Sequence, residues 1–551
     1  MEDKVTQAFN LLYEPWIVVR KPSGDREEIS ILSLFQNADT YLSLSGELPA
    51  QDATILRLLL AIMHSVFRDF KDAWDALDTW KKLWDAGRFP YEKIESYLKQ
   101  HEDRFWLIHP EQPFFQAPGL DKRADAFGPF GIAKLNGELS ESDNKIRLFQ
   151  HRSGDEKTSL SFSEAARWLL YFNGYAETFG KLEVKCKTNK SDPSVGVGWL
   201  GKLGLITAVG ANLFETIMLN FVLLNYDDAL WESGKPIWEK PVSLKERNAI
   251  VLQKNQSELL TLQSRRILLE SNGDRIVAYR FVSGDIFPQE EAFAETMTTW
   301  RYSKQPGDKE KIYRPKPFQQ SVQLWRDCPS LMSQKDDHRL PGVVKWLQYL
   351  REEIDDNGDS ILPIKLLRFQ TSGIAYGTMQ AVITDVFSDS IAFNSALLTE
   401  LHKDWIPRII TELNVTDNLV REVGTLAQNI AKASGDAEGL AARNEAKSQA
   451  YFRLDQPFRQ WLESIEPEVY CTGEMTDKKC GEWWETSKAI VRSLGKEIVN
   501  SCSLQAFIGR NNLSAPQAFS WFIYNTANRE TLKEKIEKGG KKIGKPAKSS
   551  A

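Results

Sequence analysis

The spacing of apolar residues changes near residue 390, and this change limits the possible fold more than any other feature of the chain. Beyond it, apolar residues recur every three or four positions, as they do on one face of an amphipathic helix. Three such faces are Leu419, Val423, Leu426 and Ile430; Leu454, Phe458, Trp461 and Ile465; and Trp483, Ile490, Leu494 and Ile498. A fourth helix is expected from Ser514 to about Lys538, with Pro516 in its first turn. Short connections between such helices predict an up-and-down four-helix bundle over residues 400–538.

Before residue 390 the pattern mixes strands, helices and loops. Aliphatic runs at Phe9–Arg20 and Ile29–Phe35 predict short strands. Asp52 is expected to cap a buried helix over Ala53–Phe67, because an aspartate before an apolar run is a typical helix start. Helical spacing also predicts a helix over Ser161–Tyr175.

Two further segments of this region are distinctive. Residues 361–383 predict a hairpin, with one turn at Thr371–Gly373 and a second at Gly377–Gln380. Residues 176–210 hold a polar run and several glycines, which predicts a long loop of the kind that usually carries function.

The chain has 551 residues, which exceeds the size at which single cores split into domains. We therefore predict an α+β protein with a mixed N-terminal domain, residues 1–390, that carries long functional loops. The four-helix bundle follows, and residues 539–551 form a disordered basic tail. The net charge of −5 disfavours a free-standing nucleic-acid binder, unless the protein binds through local patches or within a larger assembly.

The sequence also indicates where the protein works. Residues 1–9 are polar and lack the apolar core of a secretory signal. The longest apolar run, residues 55–67, contains Arg57 and His64 and is too short to cross a bilayer. Five scattered cysteines favour a reducing compartment. We expect a cytoplasmic protein with no membrane contact.

Motifs for chemistry are weak. Gly196, Gly198 and Gly201 match a dinucleotide-binding fingerprint, but the residues before them are polar and do not form the strand that this fingerprint requires. The histidines and cysteines do not stand at metal-ligand spacing, and no nucleophile elbow is present. We therefore predict a binding protein with no cofactor, no metal and no catalytic residues. The alternatives are an enzyme of unrecognised class, with the 176–204 loop as an active-site lid, and a scaffold without DNA contact.

Basic and aromatic residues alternate between Trp300 and Phe318, a composition that suits phosphate contacts and stacking on bases or sugars. The candidate DNA-backbone contacts in this stretch are Arg301, Lys304, Arg314 and Lys316. An exposed loop whose Lys and Arg side chains only reach into solvent is the competing interpretation.

Several segments, in order, resemble the large subunit of the type I-E CRISPR Cascade complex, the CasA family. The segments that carry the resemblance are Phe9–Leu12 with Pro15–Ile17, His109–Gln116, Leu160–Leu169, Gly196–Gly204, Glu295–Arg301 and Tyr376–Gln380. Their order and spacing cover about residues 9–535. The resemblance implies a non-enzymatic protein that recognises the protospacer-adjacent motif in double-stranded DNA and starts R-loop formation.

The resemblance also implies roles for individual residues. The motif-reading loop falls at Thr178, Phe179, Gly180 and Lys181. A glycine suits this task, because a minor groove about 6 Å wide excludes bulky side chains; a glycine that ends the preceding helix is the plainer interpretation. The duplex wedge falls at Thr378, Met379 and Gln380, with an ordinary hairpin end as its alternative.

The contact with crRNA and the backbone subunits falls at Phe149, Gln150, His151 and Arg152, where Phe149 is the expected stacking residue. The implied partners are crRNA, target double-stranded DNA, and the backbone, 5′-handle-binding and small subunits of Cascade. A separate nuclease–helicase is expected to join after R-loop formation.

Overall fold

The computed structural model describes residues 7–122, 126–139, 152–179, 196–241, 254–305, 308–333, 339–355 and 357–533. The chain divides into two compact units. The first comprises Met1–Leu324, Ser333–Leu362 and Arg368–Ser390, and the second comprises Trp325–Met332, Pro363–Leu367 and Ile391–Ala551. Two short segments that precede residue 390 therefore belong to the second unit. The predicted mixture of helices and strands is confirmed.

The first unit contains helices throughout its length. Among the described residues, its α-helices are α1 (Ile31–Asn37), α2 (Pro49–Val66), α3 (Ala73–Ala86), α4 (Tyr91–Gln100), α5 (Asp155–Thr158), α6 (Phe162–Tyr175), α7 (Leu213–Asn220), α8 (Gln256–Leu260) and, after a short α9 (Pro329–Met332) of the second unit, α10 (Gly342–Glu352). Buried residues occupy nearly all of α2, which is the predicted buried helix.

One predicted helix start and one predicted strand in this unit need correction, and a second helix start is confirmed. Helix α2 begins at Pro49, because proline suits the first helical position, and the Asp52 carboxylate accepts a hydrogen bond from the Gly46 backbone N instead of capping the helix. The expected strand at Ile29–Phe35 is mostly helix α1, because the Ser30 side chain accepts from Ser33 N and caps it. Helix α6 begins as predicted, with Ser161 and Glu164 forming a reciprocal capping box.

The strands form small antiparallel sheets. They are β1 (Ala8–Asn10), β2 (Ile17–Arg20), β3 (Arg26–Ile29), β4 (Ser43–Leu44), β5 (Trp106–Ile108), β6 (Phe127–Gly131), β7 (Leu160–Ser161), β8 (Ile206–Val209), β9 (Arg265–Asn272), β10 (Arg275–Ser283), β11 (Trp300–Ser303), β12 (Ile312–Pro315), β13 (Leu366–Tyr376) and β14 (Ile383–Asn394). Strand β10 lies between β6 and β7 and also pairs with β9. Strand β13 lies between β14 and β8.

The β13–β14 hairpin is longer than predicted. The expected turn at Thr371–Gly373 is wrong, because these residues continue β13, where Thr371 pairs with Ile206 of β8. The chain reverses only at Gly377–Gln380, which is the second predicted turn.

The second unit is mainly helical. Its helices after residue 400 are α11 (Trp405–Ala433), α12 (Leu440–Glu463), α13 (Gly473–Asn500), α14 (Leu504–Ile508) and α15 (Ala515–Asn525). Helix α15 ends well before the predicted Lys538, and the next turn of helix starts after Asn528, whose side chain accepts from Glu530 N. The four-helix arrangement stays a prediction, and residues 539–551 lie outside the described residues.

Candidate nucleic-acid interface

The tip of the β13–β14 hairpin is a tight, exposed turn. Gly377 N donates to Val382 O at 2.8 Å, and Gln380 N donates to Gly377 O at 2.9 Å. Met379 and Gln380 have φ angles of 56° and 57°, a left-handed conformation that costs a non-glycine residue about 1–2 kcal/mol. The Met379 side chain is 85% exposed, and its two neighbours are exposed as well. The predicted wedge residues therefore share a projecting turn that surrounding structure must hold in place.

The stem of the predicted motif-reading loop lies against this tip. After α6 the chain runs through Ala176 to Phe179, and Thr178 N donates a hydrogen bond of 2.9 Å to Gln380 O. The chain that returns from the loop is tied to the same stem, since Gly198 N donates to Ala176 O at 2.8 Å. The structure thus brings Thr178 and Gln380 together, whereas Gly180 and Lys181 lie outside the described residues.

Phe179 has an inward packing role. Its ring centroid lies 4.9 Å from that of Phe281, and Lys134 Nζ lies 4.0 Å from the Phe179 ring centroid. The side chain is half-buried. Its ring therefore helps to fix the stem on strand β10 and the segment after β6.

Two residues that the sequence did not single out join the parts of this site. Glu177 is buried, and its Oε1 accepts a hydrogen bond of 2.7 Å from Ile383 N, just beyond the hairpin tip. Arg265 Nη2 donates to two carbonyl oxygens, of Glu177 at 2.9 Å and of Gly196 at 2.7 Å. Neither residue belongs to a recognisable motif, because each acts on backbone atoms far away in sequence.

Close packing explains Gly198 and Gly201, whereas Gly196 has a positive φ of 62°. A Cβ on Gly198 would lie 2.3 Å from Gly174 O in helix α6, and one on Gly201 would lie 2.2 Å from the Tyr376 hydroxyl. That hydroxyl donates to Tyr175 O at 2.8 Å, and burial raises the pKa of Tyr376 well above its usual value. The segment is a packing element between α6 and strand β13.

A buried ion pair anchors the same segment from the other side. The Glu295 carboxylate, which is 0% exposed, accepts from Arg57 Nη1 at 2.8 Å and from Arg57 Nη2 at 3.0 Å. It also accepts from Trp199 Nε1 at 2.7 Å and from Met297 N at 3.2 Å. Four donors, two of them on a positive charge, are therefore directed at this carboxylate, which is the condition for a stable buried carboxylate.

The basic and aromatic stretch forms the β11–β12 hairpin, where Arg301 pairs with Arg314 across the strands. Arg301 and Lys304 are exposed, and Lys316 is half-buried. Arg314 needs correction as a candidate contact, since its guanidinium is buried and bonded to Asp308 at 2.9 Å. Two contacts lower the pKa of Asp308: first the hydrogen bond that its carboxylate accepts from Gln305 N, and second the bond from the Arg314 guanidinium.

Arg152 is the one residue of the predicted crRNA contact that the structure describes, because Phe149, Gln150 and His151 lie outside the described residues. Its guanidinium forms ion pairs with Glu138 at 2.9 Å and Glu164 at 2.7 Å. Glu164 is also the capping residue of α6. Arg152 therefore fixes the start of α6 through internal contacts.

Within the described ranges, the His, Cys, Asp and Glu side chains form no group of three or more that could hold a metal ion. Over the same part of the chain, no helix is both long and apolar enough to cross a membrane.

The family model for CRISPR-associated protein Cse1 matches residues 10–494. A curated relative, CRISPR-associated protein CasA/Cse1 of Thermus thermophilus, is 27% identical over 434 residues, which are 78% of each chain. The crystal structure of Thermobifida fusca Cse1 has a TM-score of 0.78 at 28% identity, covering 95% of this chain and 98% of that chain. A chain in a structure named CRISPR RNA-guided surveillance complex shares the fold, with a TM-score of 0.70 at 17% identity and coverage of 96% and 100%. The resemblance drawn from the sequence motifs is confirmed: this chain belongs to the CRISPR-associated Cse1 (CasA) family, the large subunits of type I-E Cascade.

Proposed function

We propose that this large subunit recognises the protospacer-adjacent motif in double-stranded DNA and opens the duplex beside it. The loop that begins at Thr178 and Phe179 and continues through Gly180 and Lys181 reads the motif from the minor groove. Gln380 is the wedge that enters the base stack. Opening starts the R-loop, in which guide RNA pairs with the target strand.

The hydrogen bond from Thr178 N to Gln380 O, 2.9 Å long, carries this proposal. Because it joins the loop stem to the hairpin tip, a duplex held by the loop lies within reach of the exposed side chains at the tip. A narrow projecting turn suits insertion between base pairs, which costs a few kcal/mol of unstacking per step. New pairing between guide and target offsets that cost.

Charge supports binding within an assembly. The net charge of −5 gives the whole chain no general attraction for DNA, so local basic groups and other subunits must supply it. Arg301 and Lys304 are exposed on and beside β11 and suit phosphate contacts. Lys316 is half-buried, whereas the buried, ion-paired Arg314 supports the hairpin itself.

Membership of the family supports the remaining partners. These are crRNA, contacted at residues 149–152, and the backbone, 5′-handle-binding and small subunits. The bundle predicted over residues 400–538 helps to hold the displaced strand and contacts the small subunits, and a separate nuclease–helicase joins after the R-loop forms. The complex works in antiviral defence in the cytoplasm, and this subunit itself catalyses no reaction.

The test compares crRNA-loaded complexes that contain either the wild-type subunit or Gln380→Ala. Gel shifts with matched duplexes that contain or lack the motif report binding, and permanganate reactivity of the displaced strand reports opening. We expect Gln380→Ala to bind the motif but to open far less DNA. Equal opening by the two complexes would refute the wedge assignment, and binding that ignores the motif in the wild type would refute motif recognition.

A further inference from the structure

Glu177 occupies the point where the loop stem, the hairpin and strand β9 meet. Its side chain is 6% exposed, with Oε1 accepting from Ile383 N at 2.7 Å and Oε2 lying 2.6 Å from Lys134 Nζ. Its carbonyl oxygen accepts from Arg265 Nη2 at 2.9 Å. One buried residue is thus fixed from three directions, and each partner comes from a different segment of the chain.

The hairpin tip depends on contacts from outside the hairpin. Met379 and Gln380 are consecutive non-glycine residues with positive φ, a combination that persists only when surrounding structure imposes it. The loop stem supplies two such contacts, Thr178 N to Gln380 O and Glu177 Oε1 from Ile383 N. These bonds fix the backbone at the end of the tip and at the start of β14.

The stem itself is held firmly. Arg265 is 3% exposed and joins both ends of the loop, while Lys134 pairs with Glu177 and lies against the ring of Phe179. A displacement of the stem must therefore move the Glu177 carboxylate relative to Ile383 N. A third contact lies on the other side of the tip, where the Tyr376 hydroxyl at the end of β13 donates to Tyr175 O at 2.8 Å.

We infer that Glu177 is a positioning residue that couples the motif-reading loop to the wedge. By accepting from Ile383 N, it sets the backbone beside Gln380 according to the position of the loop stem. Motif binding is thereby converted into correct presentation of the wedge. This inference rests on the proposed function, because it assigns Glu177 a role only if Gln380 opens the duplex.

The test uses the whole crRNA-loaded complex. The large subunit carries one of three single substitutions, Glu177→Ala, Glu177→Gln or Gln380→Ala, or the double substitution Glu177→Ala with Gln380→Ala. Fluorescence anisotropy with a motif-containing duplex measures affinity, and permanganate reactivity next to the motif measures opening. If Glu177→Ala does not assemble, Glu177→Met fills the same space without accepting a hydrogen bond and takes its place. Glu239→Ala is the matched control, since that side chain is 8% exposed and ion-paired with Arg68 at 2.9 Å.

We expect Glu177→Ala to lower opening about five-fold with little change in affinity, within the range of couplings measured for residues in one hydrogen-bond network. Glu177→Gln keeps an oxygen acceptor for Ile383 N, so this variant should open most of the DNA that the wild type opens. Adding Glu177→Ala to Gln380→Ala should have no further effect, and Glu239→Ala should open DNA as the wild type does.

The inference would be overturned by a loss of affinity equal to the loss of opening, by full additivity of the two substitutions, or by opening as low in Glu177→Gln as in Glu177→Ala. If Gln380→Ala lowers opening and Glu177→Ala does not, the coupling role alone is wrong. If Gln380→Ala opens DNA normally, the wedge assignment fails and the coupling role fails with it.

Discussion

Replacing Glu295 with alanine should destabilise the first unit more than a typical substitution does. The carboxylate is fully buried and accepts from both Nη atoms of Arg57 and from the indole of Trp199. Its loss leaves the Arg57 guanidinium, which is 3% exposed, without a charged partner. The same change frees Trp199 from its anchor beside the glycine-rich segment.

The magnitude follows from these contacts. Removing one partner of a buried ion pair costs about 3–5 kcal/mol, because the remaining charge stays buried and uncompensated. The orphaned Trp199 N–H adds a desolvation cost of about 1–3 kcal/mol. Since the two effects share one cavity and are not additive, we expect a total of about 4–6 kcal/mol. Combining Glu295→Ala with Arg57→Met should recover a large part of this loss, because it removes the unpaired charge.

Urea unfolding followed by tryptophan fluorescence and circular dichroism measures the effect. For a slope of about 3 kcal/mol per molar urea, the midpoint of the transition that involves the first unit should move down by about 1.3–2 M. Glu295→Gln keeps the shape and one oxygen acceptor and should lose less. A loss below about 1 kcal/mol for Glu295→Ala, typical of an exposed ion pair, would refute the reasoning.

Two further predictions concern stability. Gly198→Ala should lower the free energy of unfolding by about 1–3 kcal/mol, measured by urea or thermal unfolding, because its Cβ would lie 2.3 Å from the backbone of Gly174. In the control Gly131→Ala the new Cβ meets no atom within 4 Å, so its stability should stay within about 0.5 kcal/mol of the wild type. Equal losses in the two variants would contradict the packing argument. Burial lowers the pKa of His64 to about 3 from the usual 6.5, so the unfolded chain binds the proton first and stability falls as pH drops below 6.5. Between pH 7.5 and 5.5 this group should account for about 1.4 kcal/mol of lost stability. His64→Leu should remove that part of the pH dependence, measured as the shift of the urea midpoint between the two pH values. An unchanged pH dependence would show that His64 does not titrate as its burial indicates.

The features that the sequence determined by itself depend on neighbouring residues. Helix α6 was predicted from the helical spacing of its apolar residues, and the capping box that begins it joins Ser161 and Glu164, only three positions apart. The turn at Gly377–Gln380 and the order of the family motifs were also readable along the chain. The wrong turn at Thr371–Gly373 shows the limit of such signals, since pairing with β8 keeps those residues extended.

The tertiary structure alone decided how the candidate site is assembled. Two hydrogen bonds at this site join residues about two hundred positions apart. One links the backbone atoms Thr178 N and Gln380 O, and the other links the Glu177 side chain to Ile383 N. Because every sequence contains such backbone atoms, no motif announces these bonds. The tertiary structure also decided that Arg314 is buried with Asp308 while Arg301 is exposed, although the two arginines lie opposite each other on paired strands. Directly opposed residues of an antiparallel pair share one face of the sheet, so the strand pattern cannot separate these two arginines. Contacts of Arg314 with Asp308, Ser303 O and Glu290 make it an internal support, and such tertiary contacts decide which side chain stays at the surface.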